Sequence, residues 1–250
     1  TDKRIKEDYL RILRYLRFFS KYSKIKHDQN IIKNINKNLF GISKISSERL
    51  LDEFKKIFVG CTLENICKDE FSLETIKLIF PQFVGLYNFK YLDNTSFRKL
   101  NELDFTFLLS LLILDETDNS EYFFYKFNIS KKAQKRIFNI KNFYFNKNEK
   151  NKINSKSLWK LFYKHGKDTL NDILNYKIFT TKKKDKKLNE YIQFFKDKEI
   201  PIFPIKGEDL MKKFNLPEGK KVGENLKLIE KIWIDNEFGL SEDDIKKIVN

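Results

Sequence analysis

The 250-residue sequence contains few glycines, prolines and cysteines. Eight Gly and four Pro leave few positions at which a helix is forced to break. The two cysteines, Cys61 and Cys67, lie six positions apart with no neighbouring histidine, so they predict neither a disulfide framework nor a zinc site. This cysteine usage is typical of a reducing compartment, and we expect a cytoplasmic location.

Long hydrophobic runs are also missing. The longest nearly apolar stretch, residues 105–114, includes Thr106 and Ser110 and is too short to cross a bilayer. It predicts a buried helix, and we expect no membrane partner. The chain opens with TDKRIKED, without Met or an apolar signal segment, so we expect it to begin inside a longer polypeptide.

Positive charge, by contrast, is abundant. Fifty Lys and Arg oppose 35 Asp and Glu, giving a net charge of +15. A field of this sign attracts polyanions, so nucleic acid is the leading partner class. Lys, Asn, Ile and Phe are all frequent, as an AT-rich genome would produce, so the charge by itself supports RNA binding only weakly.

Apolar residues recur at spacings of three and four, which predicts an all-α fold. One uninterrupted helix is predicted through Asp8 and Arg11, and a second begins near the N-cap candidates Ser46 and Ser47. Further helices are predicted over 62–69, 73–80, 96–114, 131–141, 155–165 and 168–176, with a turn at 116–121. Polar segments at 144–156 and 180–188 suggest connections. We expect an elongated array of three parts: neck 1–95, body 96–178 and tail 179–250.

The first helix carries a carboxylate and a guanidinium three residues apart. If Asp8 and Arg11 project side by side, the carboxylate can accept from the exocyclic amine of cytosine or adenine. The guanidinium can donate to the adjacent ring nitrogen, whereas uracil and guanine present the reverse pattern. The ordinary alternative is a solvated ion pair that contributes about 0.2–0.5 kcal/mol to helix stability.

The segment EDYLRILRYLRF resembles the ED-x-x-R-x-x-R-x-x-R-F motif of class II CCA-adding tRNA nucleotidyltransferases and bacterial poly(A) polymerases. The resemblance implies a helical fold like the C-terminal region of poly(A) polymerases. It also implies that Asp8 and Arg11 read the incoming CTP or ATP. Glu7, Arg14 and Arg17 would hold the nucleotide pocket together.

Two further segments resemble motifs of the same family. ISSERLLDEFKKIF is similar to its Ser-x-Glu-Arg-x-x-x-Glu-x-x-Lys helix, in which Arg49 is the expected pocket residue. LWKLFYKHGKDTLNDIL is similar to a body helix with a Tyr-x-x-Gly turn. We interpret His165, which precedes that glycine, as a structural residue at a helix end.

The C-terminal segment PIFPIKGEDLMKKFNLPEGKKVGENLKL resembles the family's tail element. Asp209 is expected to cap a short helix, and Gly207, Gly219 and Gly223 free the backbone at turns and at a helix start. Lysines surround these turns and are expected to bind the RNA backbone independently of sequence: Lys206, Lys212, Lys213, Lys220 and Lys221.

Nucleotidyl transfer requires paired carboxylates that hold metal ions. The family carries them as Asp-x-Asp in a head domain, and these 250 residues contain no Asp-x-Asp. The resemblance therefore implies an N-terminal head that binds Mg²⁺, while this chain selects CTP and ATP and grips tRNA without reacting itself. Two alternatives stay open: a bacterial poly(A) polymerase, and a non-catalytic helical RNA-binding scaffold that has lost its head.

Overall fold

The computed structural model describes residues 2–58, 62–146, 153–181 and 185–249. The protein is 75% helical, and the described residues contain no β-strand, which confirms the predicted all-α class. Cys61 and parts of both predicted polar connections, residues 147–152 and 182–184, lie outside the described residues.

Fifteen α-helices and two short 3-10 helices make up the described chain. The α-helices are α1 (Asp2–Glu7), α2 (Arg11–Tyr22), α3 (Gln29–Asn38), α4 (Ser47–Ile57), α5 (Thr62–Lys68), α6 (Glu70–Ile79), α7 (Asn94–Asn101), α8 (Phe105–Ile113), α9 (Asn119–Lys126), α10 (Lys131–Phe145), α11 (Ser155–Thr180), α12 (Lys186–Lys196), α13 (Gly207–Phe214), α14 (Lys220–Asp235) and α15 (Glu242–Val249). The 3-10 helices are Leu39–Lys44 and Leu86–Tyr91.

Side-chain caps decide where several helices begin. Ser46 accepts from the Arg49 backbone N–H at 3.4 Å, which confirms the predicted start of α4. The single helix predicted over 96–114 is wrong, because Asp104 accepts from the Phe107 N–H at 3.0 Å and starts a new helix there. An Asp inside a helical pattern competes for backbone donors in this way. The turn predicted at 116–121 is wrong at its end, since α9 already begins at Asn119.

The chain forms two compact units. Unit 1 comprises Thr1–Glu149 and Asp172–Lys186, and unit 2 comprises Lys150–Asn171 and Lys187–Asn250. The boundaries between these units differ from the predicted boundaries near residues 95 and 178. The functional division into neck, body and tail stays a prediction.

Unit 1 is organised around a phenylalanine-rich core. Phe54, Phe80, Phe83 and Phe123 are fully buried, and neighbouring rings among them lie 4.7–5.8 Å apart between centroids. Rings at such distances add to the stabilisation from burial. Near the edge of this core, Arg136 of α10 donates to both oxygens of the buried Asp172, at 2.5 and 2.7 Å, which ties α11 to α10.

Unit 2 has a separate aromatic core. Trp159 packs edge-on against Phe195 at 4.8 Å, and Trp233 of α14 packs against Phe238 at 4.8 Å. Gly166 interrupts α11 with a φ of 78°, a left-handed conformation that favours glycine, so the predicted Tyr-x-x-Gly turn is present. In the tail, α13 is the short helix that the sequence predicts, and the longer α14 follows it.

Within the described parts of the chain, no helix combines the length and the apolar composition needed to cross a membrane. Cys67 is a free thiol buried in unit 1, and this burial raises its pKa to about 12. A thiol with such a pKa stays protonated at neutral pH and is a poor nucleophile.

Candidate functional site

The residues predicted to read a nucleobase lie at the junction between α1 and α2. The uninterrupted helix predicted there is wrong, because α1 ends at Glu7 and α2 begins at Arg11. The Asp8 carboxylate accepts from the Leu10 backbone N–H at 3.2 Å. The Asp8 backbone carbonyl accepts from the Arg11 backbone N–H at 3.1 Å. These turn hydrogen bonds place Asp8 before the helix instead of inside it.

Two guanidinium groups approach the Asp8 carboxylate. Arg49 of α4 lies with Nη2 at 3.3 Å from both carboxylate oxygens, and Arg14 of α2 lies at 3.5 Å. The Asp8 side chain is 22% exposed, so part of its surface remains open to a ligand. Arg49 thus lies beside the motif, and its role in nucleotide binding stays a prediction.

Arg11 does not pair with Asp8 as the sequence spacing suggested. Its Nη1 donates to Glu7 at 2.8 Å and to the Arg4 carbonyl at 2.5 Å. Both contacts use the same terminal nitrogen of the guanidinium, whose five N–H donors leave others available. Arg11 and Glu7 are both substantially exposed. The two predicted base-reading side chains thus share one junction without touching each other.

Glu53 of α4 is the organising carboxylate that the sequence reasoning did not single out. Its side chain is 1% exposed and accepts from Arg17 Nε at 2.7 Å and from Lys56 at 3.2 Å, with Arg14 at 3.7 Å. Burial alone would raise the pKa of Glu53, but the hydrogen bonds from Arg17 and Lys56 outweigh it and lower that pKa. Glu53 therefore remains ionised beneath the arginines.

A signal for Glu53 was present in the sequence. It occupies the Glu position of the Ser-x-Glu-Arg-x-x-x-Glu-x-x-Lys pattern, four residues after Arg49. The helical wheel places it on the buried side beside Phe54, where an unpaired carboxylate would be strongly unfavourable. We call the set Asp8, Arg14, Arg17, Arg49 and Glu53 the arginine–carboxylate network.

The second residue missed by the sequence analysis is His27. Its ring is almost fully buried, stacks on Phe19 at 3.6 Å and pairs with Asp69 at 2.9 Å. The Tyr15 hydroxyl lies 2.8 Å from His27 Nδ1, and burial raises the pKa of Tyr15 to about 12. Tyr15 and Phe19 are bulky on α2 because they enclose this histidine. No sequence pattern links positions 15, 27 and 69, so only the fold reveals the cluster.

In the tail, the predicted capping by Asp209 is confirmed. Its carboxylate accepts from the Lys206 backbone N–H at 3.0 Å at the start of α13. Two of the predicted RNA-binding lysines already have carboxylate partners, since Lys213 pairs with Glu242 at 2.5 Å and Lys220 with Glu224 at 3.6 Å. The other three are not paired with any carboxylate of the described chain: Lys206, Lys212 and Lys221.

The described residues 2–58, 62–146, 153–181 and 185–249 include no group of three or more His, Cys, Asp or Glu side chains that could hold a metal ion. The Mg²⁺ that the resemblance implies is expected in the head domain. What the network offers instead is recognition: fixed carboxylate acceptors beside planar guanidinium donors.

Comparisons with known proteins found similar sequences. A family model described as "tRNA nucleotidyltransferase domain 2 putative" matches residues 99–247. The human mitochondrial CCA tRNA nucleotidyltransferase 1 is 25% identical over 97% of this chain. The CCA-adding enzyme of Staphylococcus saprophyticus is 25% identical over 99% of it.

The fold also matches a solved structure. The crystal structure of the Bacillus stearothermophilus CCA-adding enzyme in complex with CTP superposes with a TM-score of 0.64 at 17% identity and covers 99% of this chain. The chain corresponds to 55% of the human relative, and to 62% of both the staphylococcal relative and the Bacillus chain. Because the family model matches more than half of the residues, the chain belongs to the tRNA nucleotidyltransferase family.

Proposed function

We propose that this chain is the base-selecting and RNA-binding portion of an enzyme that adds C, C and A to tRNA 3′ ends from CTP and ATP. The observation that carries the proposal is the arginine–carboxylate network at the α1–α2 junction. It offers a partly open carboxylate, Asp8, beside the guanidinium groups of Arg49 and Arg14, and the buried Glu53 lies 3.7 Å from Arg14. The named relatives are CCA-adding enzymes that match nearly the whole chain, which favours this activity over poly(A) addition.

Base selection follows from the donor and acceptor pattern. The open part of Asp8 would accept from the exocyclic amine of cytosine or adenine, and a nearby guanidinium would donate to the adjacent ring nitrogen. Uracil and guanine would leave these partly buried groups unpaired, which is how a polar site rejects the wrong ligand. Arg11 was the expected donor, but Arg14 lies closer to Asp8.

RNA binding would depend on the basic surface of the chain. Double-stranded RNA hides its base edges in a deep major groove, so contacts to the acceptor stem would address its shape and phosphates. The tail lysines Lys206, Lys212, Lys213, Lys220 and Lys221 are suited to such contacts. The N-terminal head with its Mg²⁺ stays an expectation. The cytoplasmic location stays a prediction as well, since the human relative is named as mitochondrial.

The test is nucleotide choice by the complete protein. Asp8→Ala should lower the discrimination of CTP and ATP from UTP and GTP, because the acceptor for the exocyclic amine is lost. We expect this discrimination to fall about five- to 150-fold, corresponding to about 1–3 kcal/mol for an unpaired polar group. Single-nucleotide incorporation on a tRNA lacking its terminal CCA measures it. Unchanged selectivity in Asp8→Ala would refute the proposal.

Two matched variants identify the donor. Arg11→Ala and Arg14→Ala remove the same group from neighbouring turns of α2, and the one that reads the base should lower selectivity together with activity. The product distinguishes the remaining alternatives, because three added nucleotides mean CCA addition and indefinite A-tailing means a poly(A) polymerase. A protein that binds tRNA without extending it would be the scaffold.

A further inference from the structure

The exposed side of α2 carries two aromatic rings that the proposed function does not use. Phe18 and Tyr22 are one helical turn apart, and they are 48% and 67% exposed. Their rings are nearly parallel, with an interplanar angle of 19° and centroids 6.2 Å apart. Because the two rings are adjacent, they form a small contiguous apolar patch, and such patches can mark a binding site.

Cations flank both rings. The Arg17 guanidinium lies 4.2 Å from the Phe18 centroid, and Lys21 Nζ lies 5.2 Å from the Tyr22 centroid. Arg17 cannot swing away freely, because its Nε is bound to the buried Glu53 at 2.7 Å. Lys21 has no carboxylate partner within the described residues, so its charge is available. We call Phe18 and Tyr22, with Arg17 and Lys21, the aromatic ladder.

The segment of the chain that carries the ladder is rich in positive charge. Residues 11–26 contain six Lys and Arg and no Asp or Glu. Aromatic rings interleaved with cations are the surface that binds single-stranded nucleic acid, since bases stack on the rings while the cations hold the phosphates. The exposed Ile25 adds apolar area nearby, but the six cations favour an RNA partner over an apolar protein surface.

The aromatic ladder lies on the same side of α2 as Arg11, which belongs to the proposed base-reading junction. Phe18 follows Arg11 by seven residues, which is two helical turns and about 10 Å along the axis. Positions 11, 18 and 22 share one side of the helix, and Arg14, Arg17 and Lys21 run alongside. Tyr22, the more exposed ring, follows Arg11 by eleven residues, about 16 Å along the axis. A strand with one base at the junction can therefore place a base a few nucleotides away at the ladder.

We propose that the aromatic ladder of α2 is a stacking platform for an unpaired nucleobase near the 3′ end of the bound RNA. Tyr22 presents the open ring surface, Phe18 supports it, Arg17 packs on Phe18, and Lys21 neutralises an adjacent phosphate. The inference rests on the proposed RNA binding but assigns a separate subsite, which would hold the primer strand instead of the incoming nucleotide. Stacking of this type is tolerant of base identity, so the subsite would not choose between C and A.

The experiment uses the 250-residue chain and a hairpin RNA with a short single-stranded 3′ end that carries 2-aminopurine, whose fluorescence is quenched on stacking. We expect quenching on binding, and its loss in Tyr22→Ala together with an affinity about five- to a hundredfold weaker. Tyr22→Trp should restore both. Tyr122→Ala and Phe138→Ala are controls of similar exposure on other helices, at 53% and 48%, and should bind like the unaltered chain.

An abasic residue in place of the 2-aminopurine tests the contact directly. It should weaken binding by the unaltered chain and cause no further loss in Tyr22→Ala, because the same contact cannot be lost twice. Equal losses in both proteins, or an unaltered affinity of Tyr22→Ala, would overturn the stacking platform while leaving the RNA grip intact. Failure of the unaltered chain to bind the hairpin would overturn both. Self-association that disappears in Tyr22→Ala without any change in quenching would identify a protein contact instead.

Discussion

The two charged regions of this protein hold their charges in different ways. In unit 1, the arginine–carboxylate network fixes guanidinium groups against Glu53, a carboxylate with 1% exposure. In unit 2, the tail lysines are mostly exposed, and where they pair they do so with exposed carboxylates such as Glu242. The first arrangement immobilises planar donors, whereas the second leaves mobile point charges.

This difference matches two kinds of recognition. Reading the edge of a base requires donors and acceptors at fixed positions, because selectivity depends on which groups remain unpaired. Holding a phosphate backbone requires charge but little geometry, since the contacts release counterions whatever the sequence. Under the proposed function, the arginine–carboxylate network would serve the first kind of recognition and the tail lysines the second.

The largest effect should follow from removing the buried carboxylate. Glu53→Ala leaves Arg17 without its partner in a nearly closed environment, and we expect the free energy of unfolding to fall by about 3 kcal/mol or more. Urea denaturation measures it. Asp52→Ala on the same helix removes an exposed carboxylate paired with Lys55 and should cost less than about 0.5 kcal/mol. Equal losses of unfolding free energy in the two variants would show that the burial of Glu53 does not make it more important for stability than Asp52.

The glycine beneath Tyr9 should be the next most sensitive position. A Cβ on Gly41 would lie 2.0 Å from the Tyr9 ring, so Gly41→Ala must displace the residue that follows Asp8. We expect a loss of about 1–3 kcal/mol in thermal unfolding. Gly223 of α14 is the control, because nothing lies within 4 Å of its Cβ and Gly223→Ala should stabilise the helix by up to about 1 kcal/mol. A neutral Gly41→Ala would contradict the close packing.

Acid should weaken unit 1 through Glu53. Because its pKa is lowered in the folded protein, its stabilising contribution is complete above the ordinary glutamate pKa of 4.5. That contribution is lost as the pH falls from there through the lowered pKa. The free energy of unfolding, followed from pH 6 to pH 3, should decline less steeply in Glu53→Gln than in the unaltered chain. If the two stability curves run parallel, the pKa of Glu53 is the same in the folded and the unfolded protein.

The smallest effects should come from the tail lysines. Lys212→Ala and Lys221→Ala remove charges without a carboxylate partner in the described chain. Each should reduce the slope of log affinity against log salt by about 0.7–0.9 if it contacts a phosphate. Lys213→Ala and Lys220→Ala remove partly neutralised charges and should change the slope less. Filter binding to tRNA at several salt concentrations measures it, and a reversed order would show that pairing does not predict contact.

Rules for helix caps and turns predicted the local structure best in the tail and at the starts of helices. Asp209, Ser46 and Gly166 behave as predicted, because caps and left-handed turns depend on residues within a few positions of each other. The same rules also explain the errors at Asp8 and Asp104, where an aspartate inside a helical pattern accepts a backbone N–H hydrogen bond. At Asp8 this bond forms a turn, and at Asp104 it caps a new helix.

The sequence by itself determined the helical class, the excess of positive charge and the motifs that place the chain in its family. Only the tertiary structure decided that Asp8 meets Arg49 and Arg14 instead of Arg11, and that Glu53 lies beneath Arg17. Periodicity fixes which side of a helix a residue occupies, but it carries no information about which other helix covers that side. Partners that lie 36 or 41 positions apart in the chain are chosen by packing.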